Sequence, residues 1–384
     1  MTTFLHLTDI HIDLDYWEGA PTDCVLGSTG LGCCRRYDIP LSGSGKAGAW
    51  GNTNCDAPVQ LVNATLGYIA KQHPNLEFAL YGGDTVGHHD LSQSIGRNLA
   101  TIDTLDKLLH THLPHLDIFP NQGNHDTYPI DQTLPYVEPQ MRKQISADWQ
   151  NWIGEAAASE FADRGYYSFR ISDRLRVASI NSIQYDGHNV AKSSEIGPQE
   201  AWLRGILDSA TPTDKVLILG HIPPMGGEST DVYNQWLVPL LANYSDVILG
   251  KLFGHSHKDA LRVYFENTLN FTTALITPSL MPDKRDPCYR VYEYDPSSLV
   301  LQDYTQYCVN LTATNLENRL VPYRQYRFRE VYPVPDLSDA SLRTLAKLLP
   351  TQPSLALSYC NYNLGITQCN AEQVESQVGA IQVE

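Results

Sequence analysis

The sequence has little positive charge and no long hydrophobic run. Its 384 residues include only 27 lysines and arginines against 43 aspartates and glutamates, a formal net charge of −16. Duplex nucleic acid requires a cationic face, so this balance disfavours a duplex partner. No uninterrupted apolar run reaches the roughly 18 residues of a transmembrane helix. The nearest approach, 236–254, is broken by Pro239, Asp246 and Lys251.

Internal repeats, low-complexity tracts and a signal peptide are also missing. Met1 leads almost directly into strand-like residues at Phe4, so we expect a mature form whose leader has been removed. A chain of this length can bury a large core. Its motifs extend from Asp9 to His257 in one unit, which favours one catalytic domain over several small ones.

None of the eight cysteines lies among the candidate metal ligands, which argues against a structural zinc cluster. An even count favours disulfides in an oxidising compartment; the alternative is a cytosolic enzyme with free thiols. Cys288 and Cys308 flank a predicted hairpin centred near Ser298, so a symmetric hairpin places them opposite each other. Sequons agree with a secreted, extracellular or lysosomal glycoprotein. They begin at Asn63, Asn243, Asn270 and Asn310.

Side chains that can bind metal ions follow five apolar, strand-like runs. Binding and catalytic residues are often found on loops at the ends of strands, so this placement indicates a functional site. The segments are FLHLTDIHID with Asp9 and His11, LYGGDTVGHH with Asp84, FPNQGNHDTY with Asn124, VLILGHIPPM with His221, and KLFGHSHKD with His255 and His257. A two-metal hydrolase holds its ions about 3.5–4 Å apart, so one ligand should bridge them, and a carboxylate can do so whereas an imidazole cannot. The mixed nitrogen and oxygen set predicts two divalent ions, zinc first, with manganese or iron as alternatives.

The order D-x-H, GGD, GNHD, GH and GHxH resembles the calcineurin-like metallophosphoesterase superfamily. The resemblance implies that Asp84 is the bridging ligand. The other ligands would be Asp9, His11 and His257 at one ion, and Asn124, His221 and His255 at the second. Two subclasses do not fit: purple acid phosphatases require a tyrosine where Gly87 stands, and phospho-Ser/Thr phosphatases read GDxVDRG where this chain reads GDTVGHH. Five other histidines are expected to be ordinary structural or surface residues: His6, His73, His110, His112 and His115.

A narrower resemblance covers nearly the whole chain. LTDIHIDLDY, the CCRR element of Cys33–Arg36, AWGNTNCDAP, and DPCYRVYEYD followed by YCVNLTATN are similar to acid sphingomyelinase and its phosphodiesterase-like relatives. The family pattern implies the disulfides Cys24–Cys33 and Cys34–Cys55, and Cys360 with Cys369 would close the C-terminal segment. It also implies active-site roles for His125 and His88.

These two histidines suit in-line hydrolysis of a phosphodiester by a metal-activated hydroxide. The departing alkoxide needs a proton, which a protonated imidazole can donate, with about 10²–10⁴-fold effect on rate. We assign His125 as the leading general acid and His88 as an assisting or phosphate-orienting group.

The superfamily implies an α/β (α+β) fold of two mixed β-sheets packed as a sandwich with helices outside. Helices are expected over 58–73, 91–112 and 132–164 from the periodicity of apolar residues, and a β-hairpin over 166–183. The third helical segment, which contains Trp149 and Trp152, is expected at the rim of the site. We place the catalytic domain at 1–322 and a small helical C-terminal subdomain at 323–384. YRQYRFREVY and DLSDASLRTLAKLL both read as helical, although a mere extension of the core is an alternative. Arg324, Arg327 and Arg329 would lie on a solvated helix face, with phosphate contact as the alternative.

The favoured function is a monomeric, secreted or lysosomal phosphodiesterase that splits sphingomyelin into phosphocholine and ceramide. A soluble nucleotide phosphodiester is the close alternative. Two further alternatives are less favoured. An endopolyphosphatase would need a cationic groove, which this acidic chain does not predict, and a catalytically silent binding ectodomain would be expected to lack a metal ligand, whereas all the candidate ligands are present. The family's lipid-cleaving member carries an N-terminal saposin-like domain, for which the residues before Phe4 leave no room, so such a domain was removed or is naturally absent. Peripheral membrane contact is expected in the lipid case.

Overall fold

The fold was analysed in a computed structural model, which describes residues 1–25, 32–89, 92–192, 197–225, 227–265 and 270–383. Its strands are β1 (Thr2–Leu7), β2 (Ile12–Asp13), β3 (Ala57–Pro58), β4 (Leu76–Tyr81), β5 (Asp117–Pro120), β6 (Tyr167–Arg170), β7 (Leu175–Ser179), β8 (Lys215–Leu219), β9 (Ile248–Phe253), β10 (Ala260–Phe265), β11 (Phe271–Ile276), β12 (Cys288–Asp295), β13 (Val300–Val309), β14 (Pro322–Arg327) and β15 (Gln382–Val383). The α-helices are α1 (Val59–Gln72), α2 (Ile95–His112), α3 (Glu138–Arg164), α4 (Pro198–Asp208), α5 (Asp231–Asn243), α6 (Leu311–Glu317), α7 (Phe328–Val331), α8 (Asp339–Leu348), α9 (Pro353–Leu364) and α10 (Ala371–Gly379).

Two mixed sheets form the body of the protein, as the sequence predicts. The first has six strands in the order β14-β13-β12-β1-β4-β5, and the second has seven in the order β15-β10-β11-β9-β8-β7-β6. Strands β1, β4 and β5 run parallel in the first sheet, and β7, β8 and β9 run parallel in the second. Parallel strands present their carboxyl ends at the same edge of a sheet, which places the loops after β1, β4 and β5 together.

The sheets pack through alternating side chains. Leu217 and Leu219 of β8 lie in the large hydrophobic core with Phe4 of β1, whereas Val216 and Ile218 point to the opposite face. That opposite face packs on α4 and α5. Successive residues of a strand point to opposite faces, so the run KVLIL is buried on both sides. The sandwich with outer helices is therefore confirmed.

Most predicted elements occur close to their expected bounds. Helix α1 matches the prediction over 58–73, and β6 pairs antiparallel with β7 in the expected hairpin. Helix α2 begins at Ile95, capped by the Ser94 side chain, whereas the prediction began at residue 91, which lies outside the described residues. Helix α8 is capped by Ser338, as expected for an N-cap serine.

Two predictions about local structure are wrong. Half of the segment YRQYRFREVY is strand: β14 pairs antiparallel with β13 at the edge of the first sheet, and the helix is limited to Phe328–Val331. Arg324 and Arg327 lie not on a helix face but on β14, where Arg327 pairs with Glu293 and Asp303 and Arg324 with Glu330, whereas Arg329 is exposed on the short helix α7 as expected. Trp149 and Trp152 of α3 do not line the rim of the site. Both lie in the main hydrophobic core, with relative exposures of 3% and 6%.

The division into domains at residue 322 stays a prediction. Strand β14 belongs to the first sheet, and α8 is tied to β9 by the ion pair of Lys251 with Asp339, in which nitrogen and oxygen are 2.6 Å apart. Among the described residues, no helix is both long enough and apolar enough to cross a membrane.

The structure contains the four cysteine pairs expected from the sequence. They are Cys24–Cys33, Cys34–Cys55, Cys288–Cys308 and Cys360–Cys369. Cys288 and Cys308 are direct partners in the β12–β13 ladder, which is the placement that hairpin symmetry requires. The first two disulfides cross-link an irregular N-terminal segment, in which the four cysteines form a small buried cluster of their own.

Candidate metal centre

The candidate ligands lie just beyond the carboxyl ends of five strands. Asp9 follows β1, Asp84 follows β4, Asn124 follows β5, His221 follows β8 and His255 follows β9. The first three strands belong to one sheet and the last two to the other, so the ligands converge where the two sheets meet.

One group of ligand atoms surrounds His11. Its Nε2 lies 3.1 Å from Nε2 of His257, 3.4 Å from Oδ2 of Asp84 and 4.0 Å from Oδ1 of Asp9. Oδ1 of Asp9 also lies 3.4 Å from Nε2 of His257. Ligand atoms that each lie about 2.0–2.2 Å from one ion are about 3–4 Å apart from one another. The two imidazole nitrogens and two carboxylates of this group have that spacing, which is expected around a shared cation.

A second group shares the same aspartate oxygen. Oδ2 of Asp84 lies 3.1 Å from Nε2 of His221. Oδ1 of Asn124 lies 2.9 Å from that nitrogen and 3.0 Å from Nδ1 of His255. Burial opposes ionisation of Asp84, but the neighbouring His221 and His125 hold its pKa well below the usual value. An ionised carboxylate common to both groups is what a bridging ligand must be.

Hydrogen bonds at the opposite ring nitrogens fix these imidazoles. In three of them Nδ1 faces an oxygen acceptor and so carries the ring hydrogen. The lone pair of Nε2 is then directed into the site. The pairs are His11 with the Val86 carbonyl at 2.8 Å, His221 with the Gly82 carbonyl at 2.8 Å, and His257 with the Asp283 carboxylate at 3.1 Å. His255 uses the reverse orientation, with Nε2 on the Glu228 carboxylate and Nδ1 toward Asn124.

The backbone carries strain at the same positions. Five candidate ligands have positive φ angles, a region that non-glycine residues rarely adopt and that clusters at functional sites. They are Asp9 at 51°, His11 at 42°, Asp84 at 60°, His255 at 68° and His257 at 57°.

Asp126 joins two of the ligand loops. Its buried carboxylate accepts the backbone N–H groups of Asp84 at 3.0 Å, Thr85 at 2.7 Å, Val86 at 3.2 Å and Gly123 at 2.9 Å. One side chain thereby fixes the loop after β4 against the loop after β5.

Glycine allows these two loops to approach closely. Gly83 has φ of +91°, and a Cβ there would lie 2.4 Å from the backbone nitrogen of Gly123. A Cβ on Gly123 would lie 2.0 Å from Oδ1 of Asp84. Any side chain at either glycine would displace the central aspartate.

His88 and His125 lie against the first group. The His88 ring is 4.1 Å from that of His11 and 4.3 Å from that of His125. Nδ1 of His88 is 2.7 Å from Oδ1 of the fully buried Asp56, whose other oxygen accepts the His88 backbone N–H at 2.8 Å. Burial alone would lower the pKa of His88, but the Asp56 carboxylate raises it above the usual value. Burial and the neighbouring His88 lower the pKa of His125 well below its usual value.

The two ligand groups open into a cleft of about 370 Å³. Its wall carries two carboxylates that are not candidate ligands, on Asp131 and Glu228. No lysine or arginine lines it among the described residues. The full lining is Asp84, His88, Asn124, His125, Ile130, Asp131, His188, Glu228, His255, Ser256 and His257.

Sequence reasoning missed the residues that hold the ligands in place. Asp56, Asp126, Asp283 and Glu228 received no role. Two of them had a usable signal, because Asp56 belongs to the CDAP element and Asp126 ends GNHD. Asp283 and Glu228 stand in no recognisable motif, and only the fold brings them to His257 and His255.

The sequon asparagines lie away from the cleft. Asn63 on α1, Asn243 on α5 and Asn310 at the start of α6 are exposed, and Asn270 is partly buried. Nδ2 of Asn270 donates to Oδ1 of Asn243 at 2.9 Å, and Oδ1 of Asn310 caps α6.

Comparison with known protein families gives two matches. The calcineurin-like phosphoesterase model matches residues 2–259, which include every candidate ligand and the candidate active-site histidines His88 and His125. The model of the acid sphingomyelin phosphodiesterase C-terminal region matches residues 268–383.

Several characterised proteins are similar along most of the chain. Sphingomyelin phosphodiesterase A of Dictyostelium discoideum is 31% identical over 92% of this chain and 61% of its own length. The mouse cyclic GMP-AMP phosphodiesterase SMPDL3A is 30% identical over 94% of this chain and 83% of its own length. The mouse acid sphingomyelinase-like phosphodiesterase 3b is 28% identical over 94% and 82%. The chain thus spans about three fifths of the Dictyostelium protein.

The family resemblance read from the sequence is confirmed by these matches. The arrangement of histidines and aspartates fits the divalent ions on which calcineurin-like phosphoesterases depend. The chain belongs to the calcineurin-like phosphoesterases and, within them, to the family of acid sphingomyelinase and its phosphodiesterase-like relatives.

Proposed function

We propose that this protein hydrolyses phosphodiesters at a binuclear metal centre. The observation that carries the proposal is the Oδ2 atom of Asp84, which lies within 3.4 Å of imidazole nitrogens from two separate ligand groups. In the proposal Asp9, His11 and His257 complete one ion site with this oxygen. Asn124, His221 and His255 complete the other.

Zinc is the ion that this ligand set fits first, with manganese or iron as alternatives. Four imidazoles with carboxylate and amide oxygens are too rich in nitrogen for magnesium or calcium. When bound, the two ions supply an activated water nucleophile and neutralise charge on the phosphate.

The chain's own contribution to the reaction is proton transfer and orientation. His125 lies beside His88 and the first ligand group, and we assign it as the donor to the leaving alkoxide. His88, whose pKa is raised by the neighbouring Asp56 carboxylate, supplies a positive charge that orients the phosphate. The two ring centroids are 4.3 Å apart, and the raised pKa of His88 makes it the more readily protonated ring of the two.

The favoured substrate is sphingomyelin, split into phosphocholine and ceramide. The carboxylates of Asp131 and Glu228 line the cleft without a compensating lysine or arginine among the described residues. Burial raises the pKa of Asp131 to about 6, so near pH 5 the negative charge of this wall comes from Glu228, whose pKa the His255 contact lowers and which can attract a cationic headgroup. This supports a phosphocholine ester and disfavours a polyphosphate, which would require a cationic groove.

A nucleotide phosphodiester is the second candidate. It is favoured by the similarity to the SMPDL3A proteins, which are cyclic GMP-AMP phosphodiesterases. The match spans a larger share of the mouse SMPDL3A protein, 83% of its length, than of the Dictyostelium sphingomyelin phosphodiesterase, 61% of its length.

We also propose that the protein is secreted or lysosomal, monomeric and glycosylated at Asn63, Asn243, Asn270 and Asn310. The four disulfides support an oxidising compartment. The exposed positions of Asn63, Asn243 and Asn310 leave room for glycans.

The test compares substrates on zinc-loaded protein at pH 5. Sphingomyelin in detergent, ATP and a p-nitrophenyl phosphodiester are assayed in parallel, with Asp84→Asn protein as the control for contaminating activity. Phosphocholine release by the native chain alone is the expected result. Turnover of ATP or the chromogenic ester with sphingomyelin untouched would assign the nucleotide alternative, and inactivity on all three would overturn the proposal.

A further inference from the structure

Exposed hydrophobic side chains are concentrated in one short segment. Ten large hydrophobic residues are exposed in the described part of the chain, and six of them lie between residues 14 and 41. We call the described residues 14–25 and 32–41 the N-terminal arm. The six residues are Leu14, Trp17, Val25, Tyr37, Ile39 and Leu41, with relative exposures of 38% to 63%. Isolated exposed hydrophobics are ordinary, whereas a cluster marks an interaction surface.

The arm presents these side chains from a cross-linked framework. Cys24–Cys33 and Cys34–Cys55 fasten it, and the backbone N–H groups of Val25 and Trp17 donate to the Ile39 and Cys34 carbonyls. Beneath the surface, the buried Arg35 of the CCRR element pairs with Asp13 at 2.9 Å. The hydrophobic side chains are therefore held outward by the fold.

The arm adjoins the catalytic cleft. The Tyr37 ring lies 6.5 Å from that of His89, the neighbour of cleft-lining His88. At another place on the rim, Val190 is 82% exposed and follows cleft-lining His188 by two residues. A surface bound by the arm would lie next to the opening of the cleft.

The composition of the arm suits a lipid–water interface. Trp17 and Tyr37 each combine an apolar ring with a polar group, and such side chains favour the headgroup region. Arg36 lies over the Trp17 ring, 5.1 Å from its centroid, where its charge can reach lipid phosphates. The exposed Glu18 and Asp23 of the same arm favour a zwitterionic surface over an anionic one.

We propose that the N-terminal arm docks the protein on zwitterionic, phosphocholine-bearing lipid bilayers and so brings headgroups to the cleft. The link to catalysis rests on the proposed sphingomyelin hydrolysis, whereas docking itself does not. A bilayer lipid must leave the membrane plane to reach buried ions, and a hydrophobic surface beside the cleft shortens that path.

Binding is measured with vesicles of equal parts sphingomyelin and phosphatidylcholine, by flotation and by quenching of tryptophan fluorescence with brominated phosphatidylcholine. Trp17 is 51% exposed, Trp50, Trp149, Trp152 and Trp236 are buried, and Trp202 is partly buried on α4, outside the arm. Quenching should therefore be strongest at Trp17 and fall sharply in Trp17→Phe. The double variant Ile39→Ser/Leu41→Ser should bind at least about tenfold more weakly, because each removed side chain buries apolar area in the bilayer. The matched control is Leu316→Ser on α6, which removes an 85% exposed leucine outside the arm and should bind like the native chain.

Turnover separates docking from damage to the site. The double variant should lose activity on vesicles about tenfold and keep native activity on a soluble p-nitrophenyl phosphodiester. Undiminished vesicle binding by the double variant, or equal losses on vesicles and soluble ester, overturns the proposal. Arm-dependent vesicle binding with nucleotide turnover and no phosphocholine release supports docking and overturns the sphingomyelin assignment instead.

Discussion

His6 should make the protein less stable as the pH falls. It lies on β1 with no exposed surface, and Nδ1 lies 2.7 Å from the Thr277 hydroxyl while Nε2 has no partner in the described part of the structure. Burial, assisted by the positive charge of Arg290, lowers the pKa of His6 to about 3. The unfolded chain exposes the same imidazole, which then titrates near 6.5.

The size of the effect follows from proton linkage. Between pH 6.5 and pH 3 the unfolded state binds a proton at His6 that the folded state does not, so the free energy of unfolding falls with pH across this window. At pH 4.5 the unfolded imidazole is two pH units below its pKa, which corresponds to about 3 kcal/mol lost relative to pH 7.5. That is a large fraction of the roughly 5–15 kcal/mol typical of a folded domain.

His6→Asn isolates this contribution, because asparagine keeps a polar atom near Thr277 but does not titrate. Free energies of unfolding are measured by denaturant titration at pH 7.5 and 4.5 on chelator-treated protein, so that metal binding does not add its own pH dependence. The variant starts less stable but should lose about 3 kcal/mol less between the two pH values than the native chain. His115→Asn, at an exposed position, should behave like the native chain. Equal losses in His6→Asn and native protein would refute the reasoning.

Three further predictions concern the metal centre. Asp84→Asn should bind less than one ion per chain by elemental analysis, because both ligand groups share this carboxylate; two retained ions would contradict the bridging role. His125→Ala should lose about 10²–10⁴-fold in kcat with both ions kept, and loss of the ions would remove its assignment as the acid. Asp56→Asn should reduce kcat about 10–100-fold and move the alkaline limb of the kcat–pH profile to lower pH, because the carboxylate that raises the pKa of His88 is gone. An unshifted limb would mean that turnover does not depend on the positive charge of His88.

The sequence predicted the convergence of the candidate ligands because each is tied to a local pattern. Asp9, Asp84 and His221 each follow an apolar run that becomes a buried strand, and the run fixes where the chain turns. Strand termini in parallel sheets meet at one edge, so the spacing of motifs along the chain was enough to predict their convergence. The hairpin pair Cys288–Cys308 was predictable for the same reason, since ladder symmetry is a local property.

Residues that act across the fold left no such pattern. Glu228 reaches His255 from a loop 27 positions earlier, and nothing around it signals that contact. The prediction for β14 was wrong because apolar residues in PYRQYR follow neither the helical period of 3.6 nor the strand period of 2. The segment becomes a strand through its pairing with β13, where the Asp303 carboxylate accepts a hydrogen bond from Arg327. Tertiary partners, not local propensity, set these elements.

The metal centre is held by packing and hydrogen bonds and not by covalent links. The disulfides close loops of 9, 21, 20 and 9 residues, whereas His11 and His257 meet across 246 positions of sequence. The long-range links are instead polar bonds such as those of Asp126 to the loop after β4, and of the His255 backbone N–H to the Asp9 carboxylate at 2.9 Å. Each loop can adopt its left-handed backbone only while the loop it is bonded to is also in place. The energy that holds five strained ligands therefore comes from the buried sandwich beneath them, which couples the integrity of the site to the stability of the whole fold.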